Sequence, residues 1–164
     1  MERKFTYMLD LSNPYMDTDK EHARQLENKN NWNKIVTYYL SISDLLAMKY
    51  WEEDLKLKQD SQFSTKAYKE LLPFRIRDIS IEEGMNCSFY EINSSVKSVL
   101  LAEKSPGEIT HIFHFELLKK EKVLLSSEDN GSSLLFYADN EDLNALIKSG
   151  VPEKAITLYP SGVN

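Results

Sequence analysis

The histidines are the first residues to consider for metal or acid–base chemistry. The stretch "HIFH" places His111 and His114 three positions apart, a spacing that puts two metal ligands on one side of a helix. The Ile, Phe and Thr residues around them favour a strand, in which positions i and i+3 point to opposite faces. We therefore expect one histidine beside the core and the other at the surface, with no metal site. His22 lies in a polar segment and is expected to be solvated.

The thiol of Cys87 and two pairs of acids are the remaining candidates for catalysis. Cys87 is the only cysteine, and "MNCSFY" supplies neither an adjoining base nor a glycine-rich helix start that would activate it. Adjacent acids such as Glu52-Glu53 and Glu82-Glu83 are more typical of exposed, solubilising stretches than of an acid–base pair. The five glycines, at positions 84, 107, 131, 150 and 162, form no phosphate-binding loop. We predict no catalytic residue, no cofactor and no enzymatic activity.

A run of aromatic and acidic residues is the strongest candidate for binding a partner. It follows Tyr38 and Tyr39 and consists of Tyr50, Trp51, Glu52, Glu53 and Asp54. Tyrosine and tryptophan are enriched in binding hot spots, and neighbouring acids attract a basic partner. The alternative, that these rings are core residues with ordinary charged neighbours, remains open.

Composition narrows the class of protein. The net charge of −6 argues against nucleic-acid binding, which needs a basic footprint. No run of eighteen apolar residues predicts a membrane span, and the start "MERKFTYMLDLSNPY" does not have the pattern of a signal peptide. With one cysteine, these features favour a cytoplasmic protein. A length of 164 residues with 41% hydrophobic residues indicates one domain over 1–164.

The first third of the chain gives mixed signals for the elements that position these residues. "KFTYMLDL" (Lys4–Leu11) predicts a strand. Residues 17–33 are highly polar and are expected to form a mobile surface segment. Residues 32–58 are ambiguous, because "IVTYYLSI" has helical spacing but β-branched and aromatic content. We favour a strand, a short helix over Leu45–Trp51 and a second strand, with one long helix over Trp32–Lys58 as the alternative.

The remaining two thirds read as alternating strands with a few short helices. Ser64 begins a short helix that Pro73 ends, and "FRIRDISI" alternates as a strand that turns at Gly84. Further strands are predicted at "SFYEI", "SVKSVLL", "EITHIFHFELL" and "KVLLSS".

The clearest local pattern lies at Leu134–Pro160. It predicts a strand, a helix capped by Asp139 or Asn140 with Leu143, Leu146 and Ile147 on one face, a stop at Gly150, and a strand at "KAITLY". The fold class is therefore α+β, with a mostly antiparallel sheet and a few short helices.

Three stretches between Phe63 and Ser161 carry a family resemblance: "STKAYKELL", "SFYEINSSVKSV" and "LLFYADNEDLNALIKSGVPEKAITLYP". In their order they resemble a family of bacterial immunity proteins found beside polymorphic toxins, of the kind associated with contact-dependent inhibition, Rhs and type VI secretion systems. "STKAYKELL" is similar to the family's "S-x-K/R-A-x-x-x-L" helix. "SFYEINSSVKSV" matches its aromatic strand with a central Asn, and "LLFYADNEDLNALIKSGVPEKAITLYP" matches its closing strand, helix and strand. The opening "FTYMLDLSNPY" is similar to its first strand.

The resemblance implies inhibition by binding: the chain would neutralise the C-terminal domain of a cognate toxin by direct contact and carry no catalytic residues. Because many toxins are basic, the acidic run Tyr50–Asp54 becomes the expected contact surface. The alternative function is that of a phage or mobile-element protein that binds and inhibits a host enzyme.

Overall fold

One sheet extends through the described part of the molecule. The computed structural model describes residues 5–11, 18–56, 66–102, 114–127 and 133–159. Its strands are β1 (Tyr7–Asp10), β2 (Leu45–Trp51), β3 (Arg75–Glu82), β4 (Met85–Glu91), β5 (His114–Lys119), β6 (Lys122–Ser127), β7 (Ser133–Phe136) and β8 (Thr157–Leu158). They lie in the order β3-β4-β2-β5-β6-β7-β1-β8, and all neighbours are antiparallel. This confirms the predicted α+β class and a single domain.

Helices cover one face of the sheet, which we call the helix face. They are α1 (Thr18–Ile42), α2 (Glu52–Lys56), α3 (Lys66–Leu71), α4 (Ser94–Leu101) and α5 (Asn140–Lys148), with single 3-10 turns at Leu72–Phe74 and Glu153–Ala155. Helix α1 supplies the middle of the core, because Ile35, Val36, Tyr39 and Leu40 are each at most 2% exposed. Their spacing keeps all four on the side of the helix that faces the sheet.

The other face of the sheet, which we call the back face, carries a smaller apolar cluster. Its buried members are Ala47, Cys87, Phe89, Leu118 and Val123. Cys87 is therefore a buried thiol on strand β4, 3% exposed. Since successive strand residues alternate between faces, β2 contributes Leu46 and Met48 to the helix face and Ala47 to the back face.

The polar segment 17–33 is helical from Thr18 onward and is not wholly a surface element. Asn28, Asn31 and Trp32 are each at most 6% exposed, and the Trp32 ring meets the Phe115 ring edge-on at 6.3 Å. Leu26, in contrast, is 56% exposed. Amides can be buried where they find hydrogen bonds, so polar content alone overestimated the exposure of this segment. Its mobility stays a prediction.

The prediction for residues 32–58 is wrong at each element. Residues up to Ile42 complete α1, Leu45–Trp51 is a strand and Glu52–Lys56 is a helix, while residues 57 and 58 lie outside the described ranges. The order is helix, strand, helix, and the long-helix alternative is right only as far as Ile42. Strand β2 pairs on both sides, with β4 and β5, and is buried on both faces at its centre. Apolar and polar residues do not alternate in a strand that is buried on both faces, so its sequence lacks the usual pattern of a strand.

Two further segments differ from their predictions. "SVKSVLL" belongs to helix α4, because the side chain of Asn93 accepts a hydrogen bond from the backbone N–H of Val96 at 2.9 Å and caps the helix. "KAITLY" contains the last two residues of the 3-10 turn Glu153–Ala155 and only two strand residues, Thr157 and Leu158.

The predicted turn at Gly84 and the predicted helix near the end of the chain are confirmed. Gly84 has φ +79° and joins β3 to β4. Asp139 caps α5 through the N–H groups of Glu141 and Asp142, at 2.8 and 2.9 Å. In the ranges that the structure describes, no helix is both long and apolar enough to cross a membrane.

Candidate partner-binding site

The five residues expected to bind a partner lie where β2 ends and α2 begins. Tyr50 and Trp51 are the last residues of β2, and Glu52, Glu53 and Asp54 form the first turn of α2. Because neighbouring strand residues alternate, the two rings lie on opposite faces of the sheet. Trp51 packs against the β3–β4 turn: a Cβ placed on Gly84 would lie 3.8 Å from its ring. The structure therefore does not combine the five residues into one flat patch.

The acidic turn is joined by two acids from elsewhere in the chain. The backbone N–H of Glu52 donates to the carbonyl of Gly84 at 2.9 Å, which fixes the start of α2 beside the β3–β4 turn. That turn is flanked by Glu82 and Glu83. One corner of the sheet thus collects five carboxylates, which we call the acidic corner: Glu52, Glu53, Asp54, Glu82 and Glu83. All but the half-buried Asp54 are exposed.

Among the described residues, a neutral amide contacts the acidic corner. Asn86 donates from Nδ2 to Glu52 Oε1 at 2.7 Å, which orients that carboxylate without cancelling its charge. Burial, and then the charge of Glu53, raise the pKa of Asp54 above its usual range. Concentrated like charge is unfavourable for the free protein, and a basic partner would relieve it.

A small cleft on the helix face adjoins the acidic corner through α2. It has a volume of about 180 Å³ and is lined by Tyr50, Leu55, Tyr68, Lys69, Leu72, Arg75, Ser88 and Tyr90. The rings of Tyr50 and Tyr68 pack edge-to-face, with centroids 5.4 Å apart. This volume suits one apolar group the size of a ring. Helix α2 therefore presents Leu55 to the cleft and Glu52 and Glu53 to solvent.

The floor of the cleft is a hydrogen-bonded network. Ser88 donates from Oγ to Asp78 Oδ1, and Asp78 also holds Arg75, whose Nη1 lies 3.0 Å from Oδ2. Burial is the main reason that the pKa of Tyr90 is raised; the hydrogen bond with Ser88 acts in the opposite direction. The phenol of Tyr90 therefore stays neutral, and the cleft combines apolar walls with polar groups that already have partners.

A second polar group lies on the back face, around His114. Lys49 Nζ is 3.4 Å from His114 Nε2 and 3.6 Å from Glu116 Oε1, and Ser126 Oγ is 3.3 Å from the same ring nitrogen. His114, Glu116 and Ser126 are at most 7% exposed, which agrees with the expectation that one histidine of the pair lies beside the core. His111 falls outside the described residues.

This group has the residue types of a serine–histidine–acid site but not its geometry. In such a site the serine and the acid contact opposite nitrogens of the ring. Glu116 Oε1 instead lies 3.8 Å from Nε2, the nitrogen that Ser126 also approaches. The serine is 2% exposed, so a substrate has little access to it. The arrangement resembles a buried ionic and hydrogen-bonded network more closely than a nucleophilic centre.

Neither sequence spacing nor composition indicated the complete candidate site. In the sequence, Glu82 and Glu83 belong to a separate stretch typical of exposed, solubilising acids, and the tyrosines of the cleft come from α3 and β4 as well as β2. The one available signal was the turn at Gly84, which returns the chain beside α2. Among the described residues, no group of three or more His, Cys, Asp or Glu is arranged to hold a metal ion.

Comparisons with known proteins do not identify a family. No family model, curated protein or solved structure matches this chain. The resemblance to toxin-associated immunity proteins therefore stays a prediction.

Proposed function

We propose that this protein is an immunity protein, which neutralises a cognate bacterial toxin domain by binding it directly in the cytoplasm. One observation carries the proposal: two distant segments gather five carboxylates at the acidic corner, next to a cleft lined by three tyrosines. Exposed acids raise the rate at which a basic protein arrives, and an apolar cleft holds an anchor side chain once it has arrived.

The two parts of the site are expected to have separable kinetic roles. The toxin's basic surface faces Glu52 and Glu53, while an aromatic or aliphatic side chain of the toxin fills the cleft between Tyr50 and Leu55. Long-range charge acts mainly on the association rate, whereas desolvated contacts act mainly on the dissociation rate. The role needs affinity and no catalysis, so the chain is proposed to act without a cofactor.

The first experiment is a pull-down from the native host, followed by binding to the toxin module encoded next to this chain. Recovery of such a toxin, and protection of cells that express it, would support the proposal. Recovery of a host metabolic or replication enzyme would favour the alternative, an inhibitor carried by a phage or mobile element. A chain that fails to bind or neutralise the neighbouring toxin would refute the immunity function.

The second experiment tests the site with matched variants. Glu53→Arg should lower the association rate constant about three- to tenfold at low ionic strength, and less at high salt. Leu55→Ala should instead raise the dissociation rate constant, because it enlarges the cleft. Glu153→Arg, an exposed acid on the 3-10 turn before β8, is the control and should change neither rate. If Glu53→Arg and the control have the same association rate constant, the acidic corner does not contribute to binding.

A further inference from the structure

Strand β3 is a long and exposed edge of the sheet. It ends the strand order, and within the described residues it pairs only with β4. All eight of its residues, Arg75–Glu82, are exposed. The opposite edge strand, β8, has only two residues. An edge of this length presents unpaired backbone N–H and C=O groups that can pair with another strand.

Three isoleucines of β3 are exposed at this edge. Ile76, Ile79 and Ile81 are 56%, 46% and 45% exposed. Sheets commonly protect their edges with lysine, proline or bulges. Strand β3 has two irregularities, between Arg75 and Arg77 and between Ser80 and Glu82, but its centre Arg77–Ser80 is regular. These irregularities near both ends of β3 limit regular pairing with another strand to a short central stretch, but they do not prevent it.

The charges of this strand are arranged to complement an antiparallel copy of itself. It begins with Arg75 and Arg77 and ends with Glu82, which Glu83 follows. When two copies pair antiparallel, the basic start of each lies beside the acidic end of the other, and opposite charges across strands are stabilising. A strand of an unrelated protein would need an acidic residue beside the basic start of β3 and a basic residue beside its acidic end. A second copy of β3 meets both conditions.

The pleat of β3 permits such pairing in a specific register. Arg77 and Ile79 lie opposite Phe89 and Cys87 of β4 and so belong to the back face, whereas Asp78 and Ser80 lie on the helix face. Directly opposed residues must share a face. Pairing Ile79 with the Ile79 of the second copy meets this condition, places Asp78 opposite Ser80, and brings each basic start beside an acidic end.

We propose that β3 pairs antiparallel with the β3 strand of a second copy of this chain. The two sheets then form one continuous sheet across a two-fold axis perpendicular to it, with both helix faces on the same side. The occupant of the edge is the chain itself. The proposal concerns the free protein and does not depend on the toxin.

The test uses two variants with reversed charge at opposite ends of the strand. R75E/R77E makes both ends acidic, and E82R/E83R makes both ends basic, so each should have a dissociation constant for self-association at least tenfold above wild type. An equimolar mixture should associate again, because each acidic end now meets a basic one. Sedimentation equilibrium of wild type, each variant and the mixture measures this directly.

The control is K148E/K154E, which makes the same change in net charge as R75E/R77E at exposed residues on elements remote from β3. It should dimerise like wild type. A wild-type chain that stays monomeric at its highest soluble concentration would overturn the proposal and leave the edge available to a strand of another protein. A dimer that both reversed variants retain would also overturn it, because the contact would then lie elsewhere.

A measurement on the wild-type protein tests the proposal even if the variants fail to fold. Amide hydrogen exchange of Arg75–Glu82 should slow as the wild-type concentration rises, since the outward N–H groups become paired in the dimer. Exchange in this strand that is independent of concentration would contradict the proposal. Circular dichroism melting of each variant establishes that it is folded before its self-association is compared.

Discussion

At the scale of single residues, two adjacent tyrosines of α1 connect this helix to the end of the sheet and to α5. Tyr39, which is fully buried, donates to the carbonyl of Tyr137 at 2.6 Å. Tyr38 donates to Asp142 Oδ1 at 2.5 Å. The same Asp142 completes the capping box of α5, because its other oxygen accepts from the N–H of Asp139 at 3.0 Å. One carboxylate thus serves both the helix start and the contact between helices.

These environments make the folded protein sensitive to alkali. Burial, the hydrogen bond to Asp142 and the surrounding acids raise the pKa of Tyr38 to about 12, and burial also raises the pKa of Tyr39. A phenol whose pKa is higher in the folded state stabilises it fully below the unfolded-state pKa of about 10. That contribution is lost as the pH rises from about 10 through 12, since ionisation is easier in the unfolded chain.

The first prediction concerns Tyr38→Phe. It should lower the free energy of unfolding by about 1 kcal/mol at neutral pH, because one hydrogen bond to a partly exposed carboxylate is lost. It should also flatten the decline of stability between pH 10 and 12, since one of the phenols with a raised pKa is gone. Urea denaturation over this pH range measures both effects. Tyr159→Phe, at an exposed position, is the control, and a pH dependence of Tyr38→Phe equal to wild type would refute the assignment.

At the scale of elements, the sequence predicted best where local signals agreed. The helix near the end of the chain has a capping acid, an apolar face and a glycine, Gly150, with φ +95° beyond its last turn. All three features act within a few residues, so reading them requires no tertiary context. The turn at Gly84 is a similar case.

Prediction failed where tertiary packing overrides local preference. Residues Ile35–Ile42 are rich in β-branched and aromatic types, yet they form a helix because one side of it fits the helix face of the sheet. The alternation of "FRIRDISI" did indicate a strand, but its bulges change which residues share a face. Helix α4 was missed although Asn93 and the following serines are a capping signature.

In the candidate site, too, the sequence predicted the features that are local and not those that depend on tertiary packing. The run Tyr50–Asp54 was identified because its residues are adjacent in sequence. Its relation to Glu82 and Glu83 follows from strand pairing between β2 and β4, and the cleft needs Tyr68 from α3. Register and helix docking are properties of the folded chain, so spacing along the sequence could not supply them.

A second prediction concerns the turn between β5 and β6. Its two residues, Lys120 and Glu121, have φ values of +48° and +64°, which are strained for side chains other than glycine and asparagine. Replacing them with Asn-Gly should raise the free energy of unfolding by about 1 kcal/mol, because that pair suits the turn. Thermal or urea denaturation measures the gain.

The backbone N–H of Lys120 bonds to Asp44 at 3.0 Å, and this contact survives the substitution. Asn-Gly introduced at Lys148-Ser149, where the last residues of α5 have ordinary helical geometry, is the matched control and should destabilise. A neutral or destabilising effect at positions 120 and 121 would show that the turn is not under strain.

At the scale of the whole molecule, the sheet is completed by joining the two ends of the described chain. Strand β1 lies between β7 and β8, pairing Tyr7 with Phe136 on one side and with Leu158 on the other. Three other pairs of adjacent strands, β3–β4, β5–β6 and β6–β7, are consecutive in the chain. The pairing of β1 closes the longest loop, so its entropic cost is the largest and its contacts are expected to form late in folding.

The last prediction tests this order of assembly with two leucines on neighbouring strands. Leu9 is 2% exposed within the core, whereas Leu158 is 71% exposed. Leu9→Ala should lower the free energy of unfolding by about 2–5 kcal/mol, and Leu158→Ala by less than about 0.5 kcal/mol. If β1 joins after the transition state, Leu9→Ala speeds unfolding and leaves the folding rate nearly unchanged. Stopped-flow folding and unfolding in urea separates the two rates. A slower folding rate that accounts for most of the lost stability would place β1 in the folding nucleus and reverse the proposed order.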